Sequence, residues 1–168
     1  MTGSPVPVIE GSSSYFEVAR NGTLVYLAGA STSAMRLVWV DREGRISPAV
    51  EERRAFSRPH LSPDGRRVAV EVGNPKDIWV YELERGTRTR VTSDAAVDQD
   101  PIWTPDGANI VFGSTRGGVA NDLFSRSADG SGEASLVFAS DVAKDPHSFS
   151  RDGRLLAYYE RKTGGRDI

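Results

Sequence analysis

Short apolar runs alternate with polar corners along most of the chain. Val68-Ala69-Val70, Ile110-Val111-Phe112 and Leu156-Ala157-Tyr158 are the clearest runs, and Val25-Tyr26-Leu27 is a fainter one upstream. Each is short, rich in β-branched and aromatic residues, and bounded by Gly, Pro, Asp or Asn, which reads as strand. No window of about 11 residues keeps an uninterrupted helical apolar period. The pattern predicts an all-β chain.

The corners repeat. Leu61-Ser62-Pro63-Asp64-Gly65, Trp103-Thr104-Pro105-Asp106-Gly107 and Phe149-Ser150-Arg151-Asp152-Gly153 place their aspartates 42 and then 46 positions apart. Each apolar run begins four positions after its aspartate. A second element, Asp77-Ile78-Trp79-Val80, Asp122-Leu123-Phe124-Ser125 and Asp167-Ile168, recurs every 45 positions. Upstream, Asn21-Gly22 stands for the Asp-Gly pair and Arg36-Leu37-Val38-Trp39 for the second element. Further corners at Arg42-Glu43-Gly44, Glu84-Arg85-Gly86 and Ala128-Asp129-Gly130 close each unit. In the second unit the spacing predicts strands over roughly 56–61, 66–72, 77–83 and 87–92. Four antiparallel strands per ~40–45 residues define a β-propeller blade.

The expected division is an N-terminal segment 1–13, holding in Val6-Pro7-Val8-Ile9 an outer strand of a neighbouring blade. Blades follow at 14–55, 56–98 and 99–145, with a partial blade at 146–168. About three and a half blades fall short of an ordinary ring. The expectation is a piece of a larger protein, or a ring completed by a second copy through open edges.

Turn chemistry accounts for Asp64, Gly65, Asp106, Gly107, Asp152 and Gly153. Aspartate bonds nearby amides, proline presets φ, and glycine accepts the exit geometry. Asp77 and Asp122 open the third strands and read as architecture. Trp103, with Leu61 and Phe149, and Trp79, with Phe124, recur at fixed places and read as packing between blades. In the fourth unit Pro146 lies six positions before its aspartate, against five for Pro59 and Pro101, and Arg151 replaces the turn proline. One extra residue there predicts a bulge or a looser corner.

Composition narrows function more than it assigns it. The net charge is −2 with both signs mixed, which argues against nucleic acid as a partner. No apolar run approaches the ~20 residues that span a bilayer. Residues 1–10 do not have the pattern of a signal peptide. There is no cysteine, hence no disulfide. No nucleophile elbow, Walker loop, dinucleotide fingerprint or kinase element is found, so no catalytic residue, cofactor or metal is assigned. His60 and His147 precede corners one position out of register, and read as partner-facing, metal-ligating or acid/base groups near an end of the channel, or as ordinary strand residues beside the turn. Asp94, Asp98, Asp100, Asp141 and Asp145 are expected in connections converging on one mouth of the propeller, as partner-facing loops or as turn caps. A protein or peptide is the expected partner.

Ser62-Pro63-Asp64-Gly65-Arg66-Arg67-Val68-Ala69-Val70 with Asp77-Ile78-Trp79-Val80-Tyr81 resembles the WD40-like repeat of TolB-type propellers. Asp100-Pro101-Ile102-Trp103-Thr104-Pro105-Asp106-Gly107 repeats that pattern, and the resemblance covers about 5–168. Leu37-Val38-Trp39-Val40-Asp41-Arg42-Glu43-Gly44-Arg45 and Asp129-Gly130-Ser131-Gly132-Glu133-Ala134 look most like propellers fused to bacterial serine/threonine kinases. The resemblance implies a non-catalytic binding scaffold with a periplasmic or extracytoplasmic setting. The alternative it implies is a sensor or substrate-gating propeller of a kinase or a prolyl-oligopeptidase-type enzyme, with the catalytic domain elsewhere.

Overall fold

The structure is a computed structural model and describes residues 15–18, 24–28, 34–118, 121–162 and 165–167. Val6–Ile9, Asn21-Gly22 and Ile168 lie outside the described residues. Among the described residues, fifteen strands form four separate sheets, each an antiparallel meander in chain order. The first holds β1 (Phe16–Val18), β2 (Leu24–Ala28), β3 (Arg36–Val40) and β4 (Ile46–Pro48). The second holds β5 (Phe56–Leu61), β6 (Arg67–Val72), β7 (Asp77–Glu82) and β8 (Arg88–Arg90), close to the predicted strands. The third holds β9 (Asp98–Trp103), β10 (Asn109–Ser114), β11 (Asp122–Ser127) and β12 (Ser135–Phe138). The last holds β13 (Ala143–Phe149), β14 (Leu156–Lys162) and β15 (Gly165–Asp167). Three four-stranded blades and a three-stranded one therefore stand in sequence.

The corner between first and second strands follows from one hydroxyl and one carboxylate. Ser62 Oγ donates to Asp64 Oδ1 at 2.5 Å and accepts from the Arg67 amide at 2.9 Å. The same carboxylate oxygen accepts the Arg66 amide at 3.0 Å. Thr104 with Asp106 and Ser150 with Asp152 repeat the arrangement, with hydroxyl-to-carboxylate distances of 2.6 Å. The motif is therefore Ser/Thr-x-Asp-Gly, and the hydroxyl is a full member of it. Gly65, Gly107 and Gly153 have φ of 72°, 70° and 73°, a region that disfavours a side chain.

Successive corners also stack. A methyl group on Gly107 would stand 3.6 Å from the ring of Pro63, and one on Gly153 would stand 3.4 Å from Pro105. The proline of one corner thus supports the glycine of the next.

The core lies in the seams between sheets. Val25, Leu27 and Leu37 of the first sheet pack with Phe56, Val68 and Tyr81 of the second. Ala69, Ile78 and Val80 of the second pack with Trp103, Ile110, Phe112 and Phe124 of the third. Trp103 sits in this second cluster, 4% exposed, and its indole N–H donates to the His60 carbonyl at 2.8 Å. Trp79 packs at the edge of the first cluster, with the Arg54 guanidinium 4.6 Å from its ring centroid.

The inner strands β5, β9 and β13 are bulged, whereas β1 pairs with β2 in unbroken register. In β13 the pairing shifts between Pro146 and Ser148, leaving His147 extra, where the additional residue predicted it. The shift recurs in β5 between Ser57 and His60, and in β9 opposite Val111 and Gly113. The sequence pattern pointed only to the fourth unit, because β5 and β9 carry their bulges without changing the repeat spacing. There the residues before proline, Arg58 and Asp100, adopt φ of 50° and 53°, a strained conformation for non-glycine residues.

Candidate functional site

The bulges gather chemistry on the inner strands. Arg58, His60, Asp100, Asp145, His147 and Tyr159 line one cavity of about 350 Å³, with Tyr15 and Phe16 at its edge. Four of the seven partner-facing residues expected from sequence therefore meet: His60, Asp100, Asp145 and His147. Asp100 and Asp145 are not in the connections where the spacing put them. They lie within β9 and β13, because each inner strand starts earlier than its apolar run suggests.

Each carboxylate in this cavity has a partner. Asp100 Oδ1 stands 3.1 Å from Arg58 Nε, and Asp145 Oδ1 accepts from Arg161 Nη2 at 2.5 Å. Burial nevertheless pushes the Asp100 carboxyl up to about 6, against the pull of Arg58. The Arg58 guanidinium also lies 4.8 Å from the Tyr15 ring centroid, and His147 lies 5.1 Å from that of Tyr159.

Glu71 supports this arrangement from behind. It is fully buried on β6, where the repeat otherwise places Gly113 and Tyr159. It accepts from Ser57 Oγ at 2.5 Å, from Lys76 Nζ at 2.6 Å and from the Asp100 amide at 2.7 Å. The signal for Glu71 in the sequence is a charge directly following the apolar run Val68-Ala69-Val70.

Asp94 and Asp98 go elsewhere. Both engage Arg116, Asp98 with both oxygens at 3.0 Å and Asp94 at 2.9 Å. Asp98 is fully buried, so this pair anchors the start of β9. Asp141 is exposed in the bend before β13. Asp77 binds Arg90 at 2.6 Å, and Asp122 accepts the Ser140 amide at 3.3 Å. Lys144, also unanticipated, is fully buried with Nζ 2.6 Å from the Val142 carbonyl oxygen and 3.7 Å from Asp122.

A larger groove of about 1080 Å³ opens on the corner side. Trp39, Asp41 and Arg45 of the first sheet and Phe149 and Arg151 of the last border it, with Leu61 and Trp103 between. The corner carboxylates on this side are committed. Hydroxyl and amide donors hold Asp64, Asp106 and Asp152 below the usual carboxylate range, and the equivalent donors of Ser131 and Ser127 take Asp129 down to about 2. His60 and Ile102 border both the groove and the smaller cavity. Among the described residues, no group of three or more His, Asp or Glu is placed to hold a metal ion.

Four-stranded meanders with inner strands converging on a shared polar cavity define a β-propeller. The family model described as the TolB beta propeller domain matches residues 24–168. The chain belongs to that family. A segment of 106 residues is 38% identical to the uncharacterized peptidase YuxL of Bacillus subtilis, covering 58% of this chain and 16% of the relative. Another of 88 residues is 32% identical to the Tol-Pal system protein TolB of Alcanivorax borkumensis, covering 49% of this chain and 20% of that one. The chain thus spans a minor part of either relative. Among solved structures, TolB from Acinetobacter baumannii superposes with a TM-score of 0.72 at 21% identity, over 85% of this chain and 36% of that one. The tricorn protease superposes at 0.67 with 18% identity, over 91% of this chain and 16% of that one.

Proposed function

We propose that this chain is a propeller scaffold, without catalytic groups of its own, through which a larger protein binds a protein or peptide. The observation that carries this reading is the large groove on the corner side. It offers Trp39 and Phe149 beside Arg45 and Arg151, and shares His60 and Ile102 with the inner cavity. Apolar surface with a few placed polar groups suits peptide recognition. The corner carboxylates are saturated by their own turns, which leaves shape and side-chain contacts as the means of binding.

The relation to TolB supports this reading and a periplasmic or extracytoplasmic setting. The stretch of 106 residues shared with a peptidase favours a second reading, in which the propeller gates substrate for a catalytic domain elsewhere in the protein. The likeness of Leu37–Arg45 to kinase-linked propellers belongs with that reading. Exposed Phe16 and Val18 on β1 are where further blades or a second copy would pack.

Peptides selected from a displayed library on the immobilised chain test the scaffold. Their footprint, mapped by hydrogen exchange, is expected on the groove between Trp39 and Phe149. A footprint confined to the outer strands overturns the assignment. A shared footprint with peptidase substrates would select the gating reading.

A further inference from the structure

His60 forms part of the wall between the groove and the inner cavity. Its Nδ1 is buried and, among the described residues, has no hydrogen-bond partner. The nearest acid, Glu17 on β1, places Oε1 3.7 Å from that nitrogen. The other Glu17 oxygen accepts the Leu61 amide. One carboxyl from the first sheet therefore reaches the second sheet at two adjacent residues, with one of its two contacts left unmade.

We propose that Glu17 and His60 form a proton-operated latch between β1 and β5, closed when Glu17 Oε1 carries a proton and donates it to His60 Nδ1. In the closed state the pair is neutral, Nδ1 is satisfied, and the imidazole ring is fixed between the two cavities. When the proton leaves to solvent, a carboxylate faces the same nitrogen lone pair. The imidazole must then move its own proton to Nδ1 or turn away, and a half-buried charge remains. A partly buried carboxylate with the Leu61 amide as its remaining donor is costly, so the first sheet is held less firmly in that state.

The surroundings make the change fall near neutrality. Burial pushes the Glu17 carboxyl up to about 7, and burial takes the His60 imidazole down to about 4. The proton therefore belongs to the carboxyl. The other charged groups lining the two cavities with the pair are Arg58, held by Asp100 and over Tyr15, Asp145 with Arg161, Asp64 with Ser62, Asp41 with Arg45, and Arg151 across the groove. His147 on β13 opposes a positive charge on His60 and so favours the neutral ring.

Hydrogen exchange at the Leu61 amide and imidazole nitrogen shifts, followed on the full chain from pH 5 to 9, test the latch. After correction for intrinsic exchange, wild-type protection at Leu61 is expected to fall about tenfold as pH rises through 7. Glu17→Gln keeps an acceptor for Leu61 and a permanent donor for Nδ1, so its protection is expected to stay high throughout. His60→Phe removes the acceptor and is expected to give low protection at every pH. Equal, pH-independent protection in wild type and Glu17→Gln overturns the proposal, as does a His60 shift that does not change between pH 6 and 8 in wild type.

Discussion

The carboxylate of Glu71 accepts the backbone amide of Asp100 at 2.7 Å, so a side chain in one blade holds a strained residue in the next. The bond ties down the Asp100 amide while that residue sits at φ 53°. Glu71→Ala removes the acceptor of Asp100 and Ser57 and leaves Lys76 without its partner. Breaking such a pair is expected to cost about 3 kcal/mol. Urea unfolding checks this, with the midpoint lowered and the slope unchanged.

The corner hydroxyls should matter as much as the aspartates they bind. Ser62→Ala leaves the Arg67 amide without its side-chain acceptor and is expected to cost about 1 kcal/mol. Asp64, Asp106 and Asp152 have proton affinities below the ordinary value of 3.8. Their contribution to stability is present above that value and is lost as pH falls through the lower folded value. Asp106→Asn should therefore flatten the acid limb of the stability profile, measured by thermal unfolding between pH 5 and 2.

Trp103 fills the seam and also donates to His60, and substitution separates these roles. Trp103→Phe keeps most of the volume and loses the hydrogen bond, an expected cost of about 1 kcal/mol plus the smaller ring's packing loss. Trp103→Ala is expected to cost about 3–5 kcal/mol. Calorimetry of the two variants, showing equal losses, would refute the packing role.

Gly113 is set by its neighbour across the seam. A methyl group there would stand 3.1 Å from the Lys144 carbonyl oxygen. Backbone must move to admit it, so Gly113→Ala is expected to destabilise by about 1–3 kcal/mol. Loss of the tilted contact between Phe138 and Tyr158, seen as a changed near-ultraviolet circular dichroism spectrum, should accompany it.

Asp100 predicts a pH effect of opposite sign to the corners. Its carboxyl is raised from 3.8 to about 6, chiefly by burial. Its contribution is full below 3.8 and is lost as pH rises through about 6. Asp100→Asn should therefore gain melting temperature relative to wild type on going from pH 4 to pH 7. A difference that is flat or reversed across that range would contradict the assignment.

The sheets were legible because turn and strand chemistry are local. Asp64-Gly65 marks a corner wherever it falls, and Val68-Ala69-Val70 marks a strand on its own residues. The inner strands were harder to read. Arg58-Pro59-His60 and Asp100-Pro101-Ile102 lack an alternating apolar pattern, because their side chains face a polar cavity and their pairing is bulged. That is why Asp100 and Asp145 were expected in loops. The pairings of Glu71 and Glu17 escape the pattern because their partners lie far along the chain, 29 residues away for Glu71 with Asp100 and 44 for Glu17 with Leu61. No spacing rule within a repeat reports such a pairing.

The corners and the seams therefore carry different information. Every Ser/Thr-x-Asp-Gly corner closes upon itself with the same bonds, so a duplicated blade would inherit it ready to use. The seams do not repeat. Glu71 meets Asp100 at one of them, while at the next a bare Gly113 admits the Lys144 carbonyl. Exchanging the second blade for the third would keep every corner intact and alter all three junctions between the four sheets. The linear order of these near-identical modules is thus encoded in their few dissimilar residues, as a key's cuts distinguish blanks of one pattern.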